Sequence, residues 1–201
     1  MTGKFFKMAA LCLALGVAAP KADAATLSFV VDRDASSVEL TRNGRLCLGN
    51  CSVTASLASG LTTGSTYEIG TGDTATFDFL TFTGRGQGLG WEGYAVNAVL
   101  AFSSPFLHVS GTGLFTTTAL GVFRNGDLIW DTIAPVTING SQFRISFDSG
   151  TGMFAKGQRT MGTTASITGV NVVPLPATGL LLVAGLGGLA LLRRRRQVAA
   201  A

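Results

Sequence analysis

The chain has 201 residues, 47% of them hydrophobic, and a formal net charge of +4. The positive charge lies at the two ends, because residues 25–173 carry eight basic and ten acidic side chains, a net charge of −2. A nucleic-acid partner requires a basic patch, so this central segment excludes nucleic acid as the expected partner. Its length is that of a single domain with a hydrophobic core.

The first 24 residues have the three parts of a secretory signal peptide. These parts are a positive n-region at Lys4 and Lys7, an apolar h-region at Met8–Ala19 and a small-x-small cleavage site at Ala22–Ala24. The pattern predicts export through the Sec translocon and cleavage by signal peptidase between Ala24 and Ala25.

Residues 25–172 predict an all-β domain, because short segments of alternating apolar and polar residues are separated by turn residues. The sets expected to share a buried face are Phe77 and Phe79; Tyr94, Val96, Ala98, Leu100 and Phe102; and Phe143, Ile145 and Phe147. An antiparallel sheet with one polar face and one apolar face exposes the polar face to solvent, and two such sheets bury their apolar faces against each other. We therefore predict a jelly-roll-like antiparallel β-sandwich, flanked by the signal peptide and by a C-terminal transmembrane sorting helix.

Three Asn-Gly pairs predict hairpin turns of type I′, in which both central residues need positive φ. They are Asn43-Gly44, Asn125-Gly126 and Asn139-Gly140. The stretch Thr160–Val172 fits either a last strand or a short linker, and the sequence leaves both open.

Cys47 and Cys51 are the two cysteines that remain after removal of the signal peptide. An even pair around a Gly-Asn turn in an exported chain predicts a disulfide, which would contribute about 2 kcal/mol on the chain-entropy estimate. The alternative is a metal or redox site. A metal site would need further ligands, and His108 is the only histidine, so we favour the disulfide and predict no cofactor.

Glycine occupies every second position from Gly84 to Gly90, directly before Trp91. This spacing differs from a phosphate-binding Gly-x-Gly-x-x-Gly motif and predicts a flexible loop between strands. If the loop presents Trp91, with Tyr94 nearby, the domain is a carbohydrate-binding module in which the aromatic ring stacks on a sugar. Trp130 alternates with Leu128 and is predicted to lie in the core.

Phe147-Asp148-Ser149-Gly150 resembles the hydrophobic-Asp-Ser-Gly motif of pepsin-like proteases. Their chemistry needs two carboxylates that share one proton, whereas this chain has one copy near the end of the domain. A turn after a strand is the preferred interpretation, and we predict no enzyme. Five aspartates carry the oxygen ligands that calcium prefers, but they lack the spacing of a calcium loop and are expected in solvated turns; they are Asp32, Asp34, Asp73, Asp127 and Asp131.

Residues 173–201 contain a proline-rich motif, an apolar run and an arginine cluster. In chain order these are Val173, Pro174, Leu175, Pro176 and Ala177; the run Gly179–Leu192; and Arg193, Arg194, Arg195 and Arg196. An apolar helix followed by arginines stops translocation and leaves the arginines in the cytoplasm, so the body faces outward. The run reaches about 21 Å as a helix, short of a hydrocarbon core of about 30 Å. We therefore predict a transient anchor.

This tail resembles a known family of sorting signals. Val173–Ala177 before the apolar run and the arginines looks like the VPLPA variant of the PEP-CTERM tail of exported proteins in Gram-negative bacteria, over residues 173–196. The resemblance implies processing by an exosortase, a membrane protease-transpeptidase, from an inner-membrane-anchored precursor to the cell surface or extracellular matrix. It further implies a structural or adhesive role linked to exopolysaccharide or biofilm.

The same tail leaves a second sorting hypothesis open. The residues Leu175–Gly179, Leu-Pro-Ala-Thr-Gly, also fit the LPxTG signal of Gram-positive sortases, in the same order of motif, apolar helix and positive charge. The pentapeptide that begins at Val173 accounts for both prolines, Pro174 and Pro176, and therefore favours an exosortase.

Overall fold

A computed structural model describes residues 25–86, 88–121, 123–154 and 160–173. The predicted signal peptide, residues 1–24, lies outside these ranges, as do the sorting motif beyond Val173, the apolar run and the arginine cluster. No helix in the described ranges is long and apolar enough to cross a membrane.

The described residues form eleven β-strands. The strands are β1 (Thr26–Leu48), β2 (Val53–Leu57), β3 (Thr66–Gly70), β4 (Thr74–Gly84), β5 (Gly88–Ser104), β6 (Phe106–Gly121), β7 (Phe123–Trp130), β8 (Val136–Ile138), β9 (Ser141–Phe147), β10 (Gly150–Phe154) and β11 (Thr160–Asn171).

These strands form two antiparallel sheets that face each other. The six-stranded sheet has the order β10-β7-β6-β5-β1-β3, and the five-stranded sheet has the order β2-β4-β11-β9-β8. Aromatic rings join the sheets: Phe82 stacks on Phe115 at 4.5 Å and Phe29 meets Phe143 edge-on at 5.0 Å. The prediction of an all-β antiparallel sandwich is confirmed.

The core follows the alternation in the sequence. All members of the three predicted same-face sets are buried. They are Phe77 and Phe79; Tyr94, Val96, Ala98, Leu100 and Phe102; and Phe143, Ile145 and Phe147. Phenylalanine dominates the largest fully buried side chains, and burying one contributes about 1.5–3 kcal/mol. The apolar faces of the two sheets therefore supply most of the packing energy.

One of the three predicted hairpin turns is confirmed. Asn139 and Gly140 join β8 to β9 with φ of 51° and 83°, as a type I′ turn requires.

The other two predictions are wrong, because Asn43-Gly44 lies inside β1 and Asn125-Gly126 lies inside β7. The ladder with β5 has a register shift between Arg42 and Gly44, so Asn43 forms a bulge in a strand that continues on both sides of it. Asn125 pairs on both sides, with Thr118 of β6 and with β10. Two ladders outweigh the local turn preference there.

The stretch left open as a strand or a linker is a strand. β11, Thr160–Asn171, lies between β4 and β9, at the centre of the five-stranded sheet. Alternate residues such as Thr163, Ala165 and Ile167 are buried against the other sheet.

The two ends of the sandwich differ, and one of them holds both ends of the described chain. Thr26 pairs with Gly70 at the start of β1. The N–H of Val172, just after β11, donates to the Oγ1 of Thr71 at 2.9 Å. We call this end the terminal pole.

The opposite end holds the two cysteines. Leu48, the last residue of β1, pairs with Leu89 near the start of β5. Cys47 and Cys51 form a disulfide there, with 6.4 Å between their Cα atoms, so this prediction is confirmed. We call this end the disulfide pole.

Candidate functional site

The outer surface of the six-stranded sheet carries exposed apolar side chains at the disulfide pole. The ladder places Leu48 beside Leu89 and Leu89 beside Leu120, and in the next row it places Leu46 beside Trp91. The exposed fractions are 69% for Leu46, 80% for Leu48, 55% for Leu89, 42% for Trp91 and 64% for Leu120. We call these five residues the apolar face.

Trp91 lies flat against the sheet because two glycines provide room for its ring. A Cβ atom at Gly44 would stand 2.9 Å from both Cη2 and Cζ3 of the indole, and one at Gly93 would stand 3.5 Å from Cζ3. Gly44 and Gly93 pair with each other across β1 and β5. The indole therefore covers bare backbone on one side and meets solvent on the other.

The structure corrects the prediction that Trp91 sits in a flexible loop. β5 begins at Gly88, and Trp91 pairs with Leu46 on one side and Thr118 on the other. A strand residue held by two ladders presents its side chain in a fixed direction.

The apolar face contains no charged side chain in its two rows, as far as these side chains are described. The row of Trp91 continues into Thr118 and Asn125, which are uncharged. The side chain of Arg45 approaches Glu92, on the other side of the sheet, with 3.3 Å between Nε and Oε1. A partner could thus cover this face without burying a charge.

Tyr94 lies on the inner side of β5, where only 4% of it is exposed. The prediction that it lies beside Trp91 at a ligand is therefore wrong. The Tyr94 hydroxyl donates to the carboxylate of Glu92, which is 1% exposed, and accepts a hydrogen bond of 3.2 Å from the N–H of Val53. Burial, and secondly the hydrogen bond with Glu92, raise the pKa of Tyr94. This group joins β5 to β2 inside the sandwich.

The disulfide packs against the start of β5. A Cβ atom at Gly88 would overlap the Sγ atoms of both Cys47 and Cys51. Gly49, between the cysteines, has φ of 88°, a conformation that glycine adopts without strain. The disulfide therefore holds the β1–β2 loop beside Leu89 and the apolar face.

The residues of the protease-like string serve the fold. The N–H of Asp148 donates to the carbonyl of Thr164 at 2.9 Å, and its carboxylate accepts from the Thr164 hydroxyl. The Oγ of Ser149 accepts a hydrogen bond of 2.9 Å from the N–H of Trp130. These bonds fix the turn between β9 and β10.

The prediction that five aspartates lie in turns is only partly correct: Asp73 and Asp131 lie between strands, whereas Asp32 and Asp34 lie in β1 and Asp127 lies in β7. Asp32 accepts from two backbone N–H groups at 3.1 Å, Asp73 accepts from the N–H of Gly70 at 2.9 Å, and Asp131 accepts from the Thr112 hydroxyl at 2.5 Å. Within the described part of the chain, no group of three or more His, Cys, Asp or Glu residues could hold a metal ion.

Two shallow depressions flank the segment between β7 and β8. One, of about 340 Å³, is lined by residues 108–112 of β6, including His108, and the other, of about 360 Å³, by Trp130 and residues 144–147. Trp130 packs edge-on against Phe147 at 5.1 Å; it is half-buried and packs against the core, whereas the prediction placed it within the core. Its buried Nε1 has no hydrogen-bond partner among the described residues.

Comparisons of the chain with protein-family models, with curated proteins and with solved structures found no match. Sequence reasoning missed most of the apolar face, because only the register of β1, β5 and β6 brings Leu48, Leu89 and Leu120 together. The available signal was the alternation of Leu46 and Leu48 with Arg45 and Cys47, which indicates that the two leucines share one face of a strand. It does not indicate whether that face is buried or which residues lie beside it.

Proposed function

We propose that this chain is an exported, non-enzymatic protein of the cell surface or extracellular matrix, processed by an exosortase from an inner-membrane-anchored precursor. Its role is structural or adhesive and linked to exopolysaccharide or biofilm. The disulfide between Cys47 and Cys51 supports export, because such bonds persist in oxidising compartments. We further propose jelly-roll-like connectivity, supported by sheet neighbours distant in the chain, such as β1 beside β5.

The apolar face is the observation that carries the adhesive role. Large side chains such as Leu48 and Trp91 stay exposed on the outer surface of the six-stranded sheet, although burying them in the fold would stabilise the protein. Contiguous apolar surface of this kind marks interaction sites in soluble domains. By contrast, the carboxylates of Asp148 and Asp131 accept hydrogen bonds from hydroxyls of the fold.

The sorting proposal is tested on the full chain in an exporting Gram-negative host that encodes an exosortase. Mass spectrometry of the mature protein should find neither residues 1–24 nor the arginine cluster 193–196. A cell-associated species that still ends at Ala201 would contradict processing.

Two substitutions separate the exosortase and sortase hypotheses. Pro174→Ala changes the motif Val173–Ala177 but leaves Leu175–Gly179 intact, whereas Thr178→Val does the reverse. We expect Pro174→Ala to stop removal of the tail and Thr178→Val to leave it unchanged. The opposite result would assign the tail to a sortase.

Saccharide binding through Trp91 is the second candidate function. It is favoured by one observation, the exposed indole that lies flat over Gly44 and Gly93, since flat aromatic rings stack on sugar rings. A glycan array should then show binding that Trp91→Ala abolishes and Trp130→Phe retains. Equal binding by both variants would exclude Trp91 as the contact.

A further inference from the structure

We propose that two copies of this chain associate through the apolar face, with the outer surfaces of their six-stranded sheets packed against each other at the disulfide pole. The inference goes beyond the proposed function, because it concerns the folded body and holds whether or not the tail is processed. It rests on four properties of the face: area, chemistry, symmetry and position.

The exposed area suits an interface between two copies. The five side chains are between 42% and 80% exposed, so two faces in contact would cover roughly 1,000 Å², near the lower limit for specific association. Leu114 and Ile129 pair on the same outer surface and are also exposed. They lie beyond the row of Thr116 and Asp127 and are therefore not counted in this area.

The chemistry of the face favours a protein surface over a saccharide. The ladder neighbours of Trp91 are Leu46 and Thr118, and the next row consists of Leu48, Leu89 and Leu120. The structure places the amide of Asn43, beside Gly93, near the indole on the other side. Leucines offer sugar hydroxyls no replacement for the water they would lose. A second apolar face loses no hydrogen bonds when it covers these leucines, and the hydrophobic effect favours the contact.

The row of leucines is self-complementary. Leu89 of the middle strand β5 lies between Leu48 of β1 and Leu120 of β6. A two-fold axis parallel to β5 would place Leu89 on Leu89 of the second copy and Leu48 on its Leu120. Every contact in that row is then between two leucines, so the row is complementary to itself, as an isologous interface requires. Sheets packed in this way lie about 10 Å apart.

The position of the face makes it accessible to another copy. Thr26 and Val172 both lie at the terminal pole, whereas the apolar face lies at the disulfide pole. The segments before residue 25 and after residue 173 therefore join the body at the end farthest from the face. Neither point of attachment lies beside the face.

Cysteine cross-linking of the full, exported chain tests the proposal. Thr118→Cys adds a thiol within the apolar face, and Ser110→Cys adds one on the same outer surface of β6 toward the other pole; both positions are exposed. With a short bismaleimide, Thr118→Cys should give a dimer at least ten-fold more abundant than Ser110→Cys. Equal yields from the two positions, or no dimer from either, would overturn the proposal.

A second pair of substitutions tests the leucines. Leu89→Asp in the Thr118→Cys chain should lower the dimer yield at least ten-fold, whereas Phe106→Asp should leave it unchanged, although Phe106 is 84% exposed. An intact disulfide and resistance to protease verify that each variant folds. An equal loss of dimer with both variants would overturn the proposal. A monomer that binds polysaccharide only when Trp91 is present would also overturn it and would assign the face to a saccharide.

Discussion

The hydroxyl of Tyr94 donates a hydrogen bond to the buried carboxylate of Glu92, two residues earlier on the same strand. The same hydroxyl accepts from the N–H of Val53 in β2, and Arg45 approaches the carboxylate from β1. A buried charge is tolerated only when it is paired and hydrogen-bonded. This group therefore connects three strands from both sheets directly beneath the apolar face.

Removing the Tyr94 hydroxyl should destabilise the fold. Tyr94→Phe leaves the N–H of Val53 and one side of the Glu92 carboxylate without their partner, so we expect a loss of about 1–3 kcal/mol in the free energy of unfolding. Urea denaturation measures it. Tyr67→Phe is the matched control, because Tyr67 is half-buried and stacked on Phe77, and its change should be clearly smaller.

The stability should fall in alkaline solution. Burial raises the pKa of both Tyr67 and Tyr94 above the ordinary value of 10.0, so the folded state favours the neutral phenols. This contribution is complete below the pKa of the unfolded chain, about 10, and is lost as pH rises through the higher folded pKa. Unfolding free energies measured from pH 8 upward should decline above about pH 10. A decline no smaller in the Tyr67→Phe, Tyr94→Phe double variant would contradict this cause.

A side chain at Gly44 should displace the Trp91 ring. In Gly44→Ala the new Cβ would stand 2.9 Å from two indole carbons, so the ring must lift from the sheet. In a Trp130→Phe background, the fluorescence of Trp91 should shift to longer wavelength as the indole enters water. Gly162→Ala is the control, because nothing lies within 4 Å of its Cβ position, and its spectrum should match that of the parent.

Loss of the disulfide should weaken the disulfide pole. Non-reducing peptide mapping of the exported chain should recover Cys47 linked to Cys51, and Cys47→Ser should lower the free energy of unfolding by about 2 kcal/mol. Cys51→Ser should have a similar effect. Free thiols at both positions in the exported protein would contradict the structure.

The absence of hydrolytic activity is tested at Asp148. We expect the wild-type chain to hydrolyse neither protein nor polysaccharide substrates. Asp148→Asn should lower the free energy of unfolding only modestly, because the Asp148 carboxylate accepts a hydrogen bond from Thr164 at a turn. Hydrolysis by the wild type that disappears in Asp148→Asn would identify a catalytic carboxylate and overturn the proposal of a non-enzyme.

Alternation made much of the fold predictable. The side-chain period of a strand is two, so the set from Tyr94 to Phe102 and the set from Phe143 to Phe147 indicated buried faces, and the structure buries them all. The turn at Asn139-Gly140 was also predictable from local sequence, because a type I′ turn depends on the conformations of its two central residues. The Cys47–Cys51 disulfide followed from an even pair of cysteines around a turn in a chain predicted to be exported.

The tertiary structure decided what depends on neighbouring strands. Asn43-Gly44 and Asn125-Gly126 have the same composition as the true turn, but ladders to β5, β6 and β10 hold them extended. β11 is rich in Thr and Gly and gave no clear signal, although it lies at the centre of its sheet.

The sequence by itself determined that these residues alternate, and it predicted the positions of the address signals and the pairing of the two cysteines, because such features depend on near neighbours. Only the tertiary structure decided that Trp91 lies over Gly44, that Tyr94 turns inward and that Leu48, Leu89 and Leu120 share a row. A shift of register by one residue moves every side chain to the opposite face of the sheet. The candidate site therefore depends on pairings between residues far apart in the chain.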